Sequence, residues 1–92
     1  MSYIVKYHKI LKEDLNKLDK FSRSRIKKAI ESRLLIEPTK YGQSLKGTLK
    51  GFRKLRIGDY RVMYRVVKNE IIVLGIRHRK DIYDIIFNRK HD

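Results

Sequence analysis

The stretch GFRKLRIGDYRVMYRVVKNEIIVLGIRHRKDIY, from Gly51 to Tyr83, decides how the rest of the chain is read. Val, Ile, Leu and Tyr alternate there with Lys and Arg. A period of two is what a pleated strand needs if one face is to meet a core and the other water or a polyanion. Three consecutive strands follow from it. Phe52 to Ile57 is the first, Gly58-Asp59 a two-residue hairpin turn, and Tyr60 to Val67 the returning strand. Lys68 and Asn69 make the next turn, and Ile71 to His78 is the last strand.

The Gly58-Asp59 turn sets the pairing of the hairpin: Ile57 with Tyr60, Arg56 with Arg61, Leu55 with Val62, Lys54 with Met63. One face then carries Lys54, Arg56, Arg61 and Arg65. The other carries Leu55, Ile57, Tyr60, Val62, Tyr64 and Val66 and is the core face. Like charges opposed across a sheet destabilise it by some tenths of a kcal/mol per pair, so Arg56 beside Arg61 points to an anion between them. The last strand is apolar on both sides, which marks it as central and doubly covered. A plain two-residue turn before it would put Arg77 on the core face. A three-residue loop, or a bulge at Gly75, swings Arg77 to the side of Arg61, and this is the expected arrangement because an unpaired buried guanidinium is intolerable.

Upstream, Tyr3 to Tyr7 alternates as a strand. From about Ile10 the period changes, with Leu11, Leu15 and Leu18 at helical spacing and Lys12, Glu13, Asn16 and Lys17 on the other face. Ser22 or Ser24 would cap a second helix running to about Ile36, with Ile26, Ala29, Ile30 and Leu34 inward, and Pro38 ends it. Tyr41 to Gly51 holds Gly42, Gly47 and Gly51 and reads as a loop or a frayed turn. It lacks the Gly-Lys-Ser/Thr ending of a phosphate loop. Asp81 to Lys90 is a short helix or an ordered tail, with Tyr83, Ile86 and Phe87 apolar. The fold class expected is therefore α+β: an N-terminal strand, a helical hairpin packed on a four-stranded, mostly antiparallel sheet, and a short C-terminal helix or tail.

Composition bounds the function. Ninety-two residues make one domain, residues 1–92, which buries roughly 60 to 65 % of its unfolded surface. Hydrophobic residues make up 41 % of the chain, too many for disorder. With no cysteine there is neither a disulfide scaffold nor a thiolate zinc site, which suits a reducing, cytoplasmic setting. His8, His78 and His91 are too scattered for a metal cluster, so neither metal nor cofactor is expected. No apolar run is long enough for a membrane span, and Met1 to Tyr7 lacks a signal-peptide pattern. Lys and Arg number 24 against 10 Asp and Glu, a net charge of +14, which favours a polyanionic partner such as RNA. The charge is concentrated: Lys40, Lys46, Lys50, Arg53, Lys54, Arg56, Arg61 and Arg65 are interrupted by a single acid, Asp59.

A basic KLR strand, a glycine-containing turn, YRVMYRV and then IIVLGIRHRKDIY near the carboxyl end resemble the RelE/ParE toxin superfamily of bacterial toxin-antitoxin systems, RelE-like branch. The order strand, helix, helix, three antiparallel strands and tail matches over nearly the whole chain. The resemblance implies a fold shared with microbial ribonucleases, an activity that cleaves mRNA in the ribosomal A site of the 30S subunit, and a cognate acidic antitoxin that folds on binding. It carries catalytic positions onto Lys54, Arg61, Arg77 and Tyr83. A further lysine of the RelE pattern is absent, since Phe52 stands there, and Lys50, Arg53 or Arg56 would supply its charge.

In that chemistry the 2′-hydroxyl attacks the adjacent phosphate without a metal. Lys54 would be base or electrostatic stabiliser, and Arg61 a bidentate grip on the nonbridging oxygens. Arg77, or His78, would assist the leaving oxygen, and Tyr83 would stack on a base. Lys46, Lys50, Arg53, Arg56, Arg65, His78 and Arg79 would contact mRNA or rRNA. Two other readings keep part of this: a ParE-like inhibitor of DNA gyrase, and a non-catalytic basic nucleic-acid-binding module.

Overall fold

Strand β4 (Tyr60–Val67) is the middle of a five-stranded sheet in the order β1-β5-β4-β3-β2. The computed structural model describes residues 3–9, 11–47 and 50–78. The other strands are β1 (Ile4–Tyr7), β2 (Gln43–Ser44), β3 (Arg53–Ile57) and β5 (Glu70–His78), with β1 parallel to β5 and the remaining pairs antiparallel. The sheet thus has five strands where four were expected. The addition is β2, two residues against Lys54 and Arg53, too short to leave a period in a glycine-rich stretch.

The β3–β4 register is the one the turn dictates, from Ile57↔Tyr60 to Arg53↔Tyr64. Gly58 has φ 60°, a conformation that glycine adopts without a Cβ penalty. Between β4 and β5 the two-residue turn and the bulge occur together. Val67 pairs with Glu70, but Met63 pairs with Gly75 and Tyr64 with Val73, so Leu74 is the extra residue at this step of the register. That one extra residue flips the parity of β5 halfway along. It explains why β5 is apolar on both faces, and it brings Arg77 opposite Arg61.

Helices α1 (Leu11–Asn16) and α2 (Lys20–Ala29) form the expected hairpin. The cap of α2 is Asp19 rather than Ser22 or Ser24: its carboxylate accepts the Ser22 N–H at 2.6 Å, which holds the Asp19 carboxyl below the usual range. The second helix continues past Ala29 as a π turn, Ile30–Leu34, closed by Leu35 N–H to the Ile30 carbonyl. Pro38 then opens a third short helix, α3 (Pro38–Tyr41), at the position where a missing N–H costs nothing.

The helices cover one face of the sheet. Leu11, Leu18, Ile26, Ile30 and Leu34 meet Leu55, Ile57, Val62, Tyr64, Ile71, Val73 and Ile76 in the main core. Each fully buried side chain of this kind contributes about 1.5–3 kcal/mol of transfer free energy. A second cluster, Phe52, Met63 and Leu74 with Leu45 and Ile72, is separate from it. By register it belongs to the face that carries Lys54 and Arg61.

Candidate functional site

Directly opposed residues of an antiparallel ladder point to the same face. The pairings Arg56↔Arg61 and Arg61↔Arg77 therefore set three arginines in one row across β3, β4 and β5. At the spacing of adjacent strands the row is roughly 10 Å wide at the backbone. The next row along the strands is Lys54, Met63 and Gly75. Met63 and Gly75 are buried in that row, so Lys54, half-buried at its β3 end, is the cation it contributes.

Two of the three guanidinium groups are engaged within the fold. Arg61 donates through Nη1 to the carbonyls of Gly58 at 3.0 Å and Tyr60 at 2.9 Å, which folds it back over its own hairpin turn and leaves the Nη2 edge of its fork unspent on those two carbonyls. Arg77 reaches Asp14 on α1, Nη2 to Oδ1 at 3.2 Å. The Asp14 side chain is fully buried, and its other oxygen accepts the Ile76 N–H at 3.0 Å. Strand β1 ends at Tyr7, so β5 runs on beyond Val73 without that neighbour. Asp14 supplies the acceptor a strand would have supplied and anchors Arg77 at the same time. Arg56 is exposed at the outer side of β3. With Arg61 turned onto its own hairpin and Arg56 open to solvent, the anion expected between them is not required to explain their pairing.

The remaining residues named from the sequence divide by face. Arg65 shares the face of Lys54 and Arg61, with its guanidinium carbon 5.9 Å from the centre of the Phe52 ring. Lys46 and Lys50 are exposed in the segment between β2 and β3. Arg53 does not join them. It pairs with Tyr64 on the helix-side face, and its Nη2 donates to the carbonyls of Thr39, at 2.6 Å, and Gly42. This ties α3 to the sheet, a structural engagement in place of the RNA contact expected of it. His78 is opposite Tyr60, with the rings edge-on at 6.1 Å between centres, also on the helix side and away from Arg61. Tyr83 and Arg79, and the expected helix or tail from Asp81 to Lys90, lie outside the described residues. Among the described residues no group of His, Asp or Glu could hold a metal ion.

Asp14 was not singled out from the sequence. Its signal was present: three residues after Leu11 and one before Leu15, it falls on the buried stripe of the first helix, where an acid needs a partner.

A family model described as the ParE toxin of the type II toxin-antitoxin system parDE matches residues 5–83. Toxin RelG of Mycobacterium tuberculosis is 31% identical over 85 residues, spanning 90% of this chain and 98% of the relative. Among solved structures, the toxin-antitoxin complex RelBE2 of M. tuberculosis contains a chain that superposes with a TM-score of 0.80 at 27% identity, covering 86% of this chain and 100% of that one. The RelE-RelB complex of the archaeon Pyrococcus horikoshii OT3 gives 0.68 at 30% identity, over 86% and 97%. The free state of an E. coli RelE mutant gives 0.78 over 99% and 97%, at 18% identity, a likeness of fold alone.

Proposed function

Because the chain belongs to the ParE toxin family of type II toxin-antitoxin systems, within the RelE/ParE superfamily, we propose that it is a toxin of the RelE kind that cleaves messenger RNA on the ribosome without a metal. The observation that carries this reading is the cationic face: the row Arg56, Arg61, Arg77 with Lys54 one step along.

A scissile phosphodiester lying over the β3–β4 part of this face has Lys54 and Arg61 beside it on neighbouring strands. The unspent edge of the Arg61 fork grips the nonbridging oxygens as negative charge builds in the pentavalent transition state. Arg77, held by Asp14, offers a cation whose direction is set before substrate arrives, so little reorganisation is needed. Lys54 serves as base for the 2′-hydroxyl or as an electrostatic stabiliser. The 2′-oxygen forms the new bond to phosphorus, the bond to the 5′-oxygen breaks, and that oxygen takes up a proton. A site equipped mainly with fixed cations gains most when the RNA is presented in position, which is why the ribosome is the proposed setting. Tyr83 is proposed as the stacking platform for a base. The antitoxin is proposed to be an acidic segment that folds on the toxin, suited to its +14 charge.

Arg61→Ala is expected to lower cleavage of ribosome-bound message by about 100- to 1,000-fold, the cost of removing one preorganised donor. EDTA in excess of free magnesium, with ribosomes stabilised by polyamine, should leave the wild-type rate in place. Cleavage by Arg61→Ala at the wild-type rate would discard this site. The description of the matching family model as ParE favours a second reading, inhibition of DNA gyrase. After brief induction, DNA breaks with translation still running would select that reading, and arrested translation with cut message the first.

A further inference from the structure

A second cationic feature lies around the outer side of β3, between the α2 helix with its π extension and the β3–β4 hairpin. The groove there is lined by Arg25, Lys28, Ser32 and Arg33 from the helix and by Arg56 and Gly58 from the hairpin. No Asp or Glu lines it among the described residues. Arg25, Lys28 and Ser32 recur at i, i+3 and i+7, so the helix presents them on one side. The Arg25 guanidinium lies against the β3–β4 turn: a Cβ on Gly58 would come within 3.0 Å of its Nη1. Arg56 belongs to both features: it lines this groove and also begins the row that passes through Arg61 to Arg77. The two cationic surfaces are therefore continuous around the β3 edge.

We propose that this groove is a second RNA-backbone site, in which Arg25, Lys28 and Arg33, joined by Arg56, hold phosphates of an RNA strand. The same helix hairpin carries a mainly apolar groove, in which Tyr7, Leu15, Ile26, Ile30 and Ile76 outnumber Arg23 and Lys27. An apolar surface of that kind suits a folding peptide. A groove of arginine and lysine without an acid or a large apolar patch suits phosphodiesters, which guanidinium groups engage as charge-assisted, bidentate pairs. The inference deepens the RNA-cleaving reading and rests on it for the nature of the ligand.

The test measures equilibrium binding of the full chain to two probes, a 2′-O-methylated single-stranded RNA that cannot be cut and vacant ribosomes without message. Arg25→Gln, Lys28→Gln and Arg33→Gln together remove three cations. For single-stranded RNA this lowers the slope of log K against log salt by about 2 and the affinity by roughly tenfold or more at physiological salt. Lys12→Gln, Lys20→Gln and Lys68→Gln, which remove equal charge from exposed positions outside the groove, should change the slope less. The pair Lys28→Gln and Arg33→Gln leaves Arg25 on Gly58 and covers the case in which the triple variant does not fold. Loss with the free strand assigns the groove to message, and loss with ribosomes alone assigns it to ribosomal RNA; either supports the proposal. Unchanged binding to both probes overturns it. So does a variant that keeps both RNA affinities and loses a poly-glutamate peptide, which makes the groove a protein-docking surface. The two readings fail separately: if wild-type protein cuts no message but the groove variants lose RNA, the groove stands and the nuclease falls. If Arg61→Ala abolishes cutting and the groove variants bind normally, the reverse holds.

Discussion

Gly42 is a residue at which this fold leaves no room for a side chain. A Cβ there would lie 1.8 Å from the hydroxyl oxygen of Tyr64, which is fully buried and donates to the Pro38 carbonyl at 2.6 Å. Gly42→Ala must therefore displace the ring or break that bond, at a cost of about 3 kcal/mol. In a domain of this size that lowers the melting temperature by more than 10 °C; an unchanged melt would mean that the α3–β2 corner yields. Burial pushes the Tyr64 hydroxyl above the ordinary tyrosine value, while the Arg53 guanidinium beside it pulls the other way and loses. A group held neutral in the fold stabilises it fully below its unfolded value, and this contribution is lost as pH rises through the folded one. Urea midpoints should therefore be flat up to about pH 10 and fall above it. Tyr64→Phe should remove part of that fall. Tyr7, raised by burial and by Glu31, supplies another part with the same sign.

Between elements, the contact that sets the site is the docking of α1 on β5 through Asp14. It takes the place of a ladder bond for Ile76 and holds Arg77 at the end of the sheet through one edge of its guanidinium. Removing one partner from a buried ion pair leaves a charge without compensation, so Asp14→Ala is expected to lower stability by about 3–5 kcal/mol. Asp14→Asn keeps an acceptor for the Ile76 N–H and should lose less. Both are read from urea midpoints, and a loss under 0.5 kcal/mol in the alanine variant, on the order of an ordinary surface substitution, would show that β5 does not depend on this contact. Any loss of cleavage in Asp14→Asn with the fold intact would then be traceable to the aim of Arg77.

For the whole molecule, charge acts in two directions at once. A net +14 on 92 residues repels itself in the folded state, and added salt screens that repulsion. Raising sodium chloride from about 0.02 to 0.3 M, across which the screening length shrinks severalfold, should therefore raise the melting temperature of the free toxin. The same change should weaken its hold on RNA. A melting temperature that falls with salt would mean that the cations are already paired within the fold and that little field remains to meet a polyanion.

The strands, their faces and the hairpin register were legible in the sequence because alternation and a glycine turn are local signals, readable within ten residues. The same alternation that sends Leu55 inward also sends Arg53 inward, and charge alone had placed Arg53 with the RNA-facing residues. Local periodicity was enough for the α+β order, the core stripes and the shared face of Lys54, Arg56, Arg61 and Arg65. It took the folded chain to show that Leu74 is the bulged residue, that Asp14 holds Arg77, that His78 turns to Tyr60, and that Arg25, Lys28 and Arg33 converge with Arg56 in one groove. Each of these depends on contacts between segments distant in the chain, whose relative placement follows from packing and carries no local period.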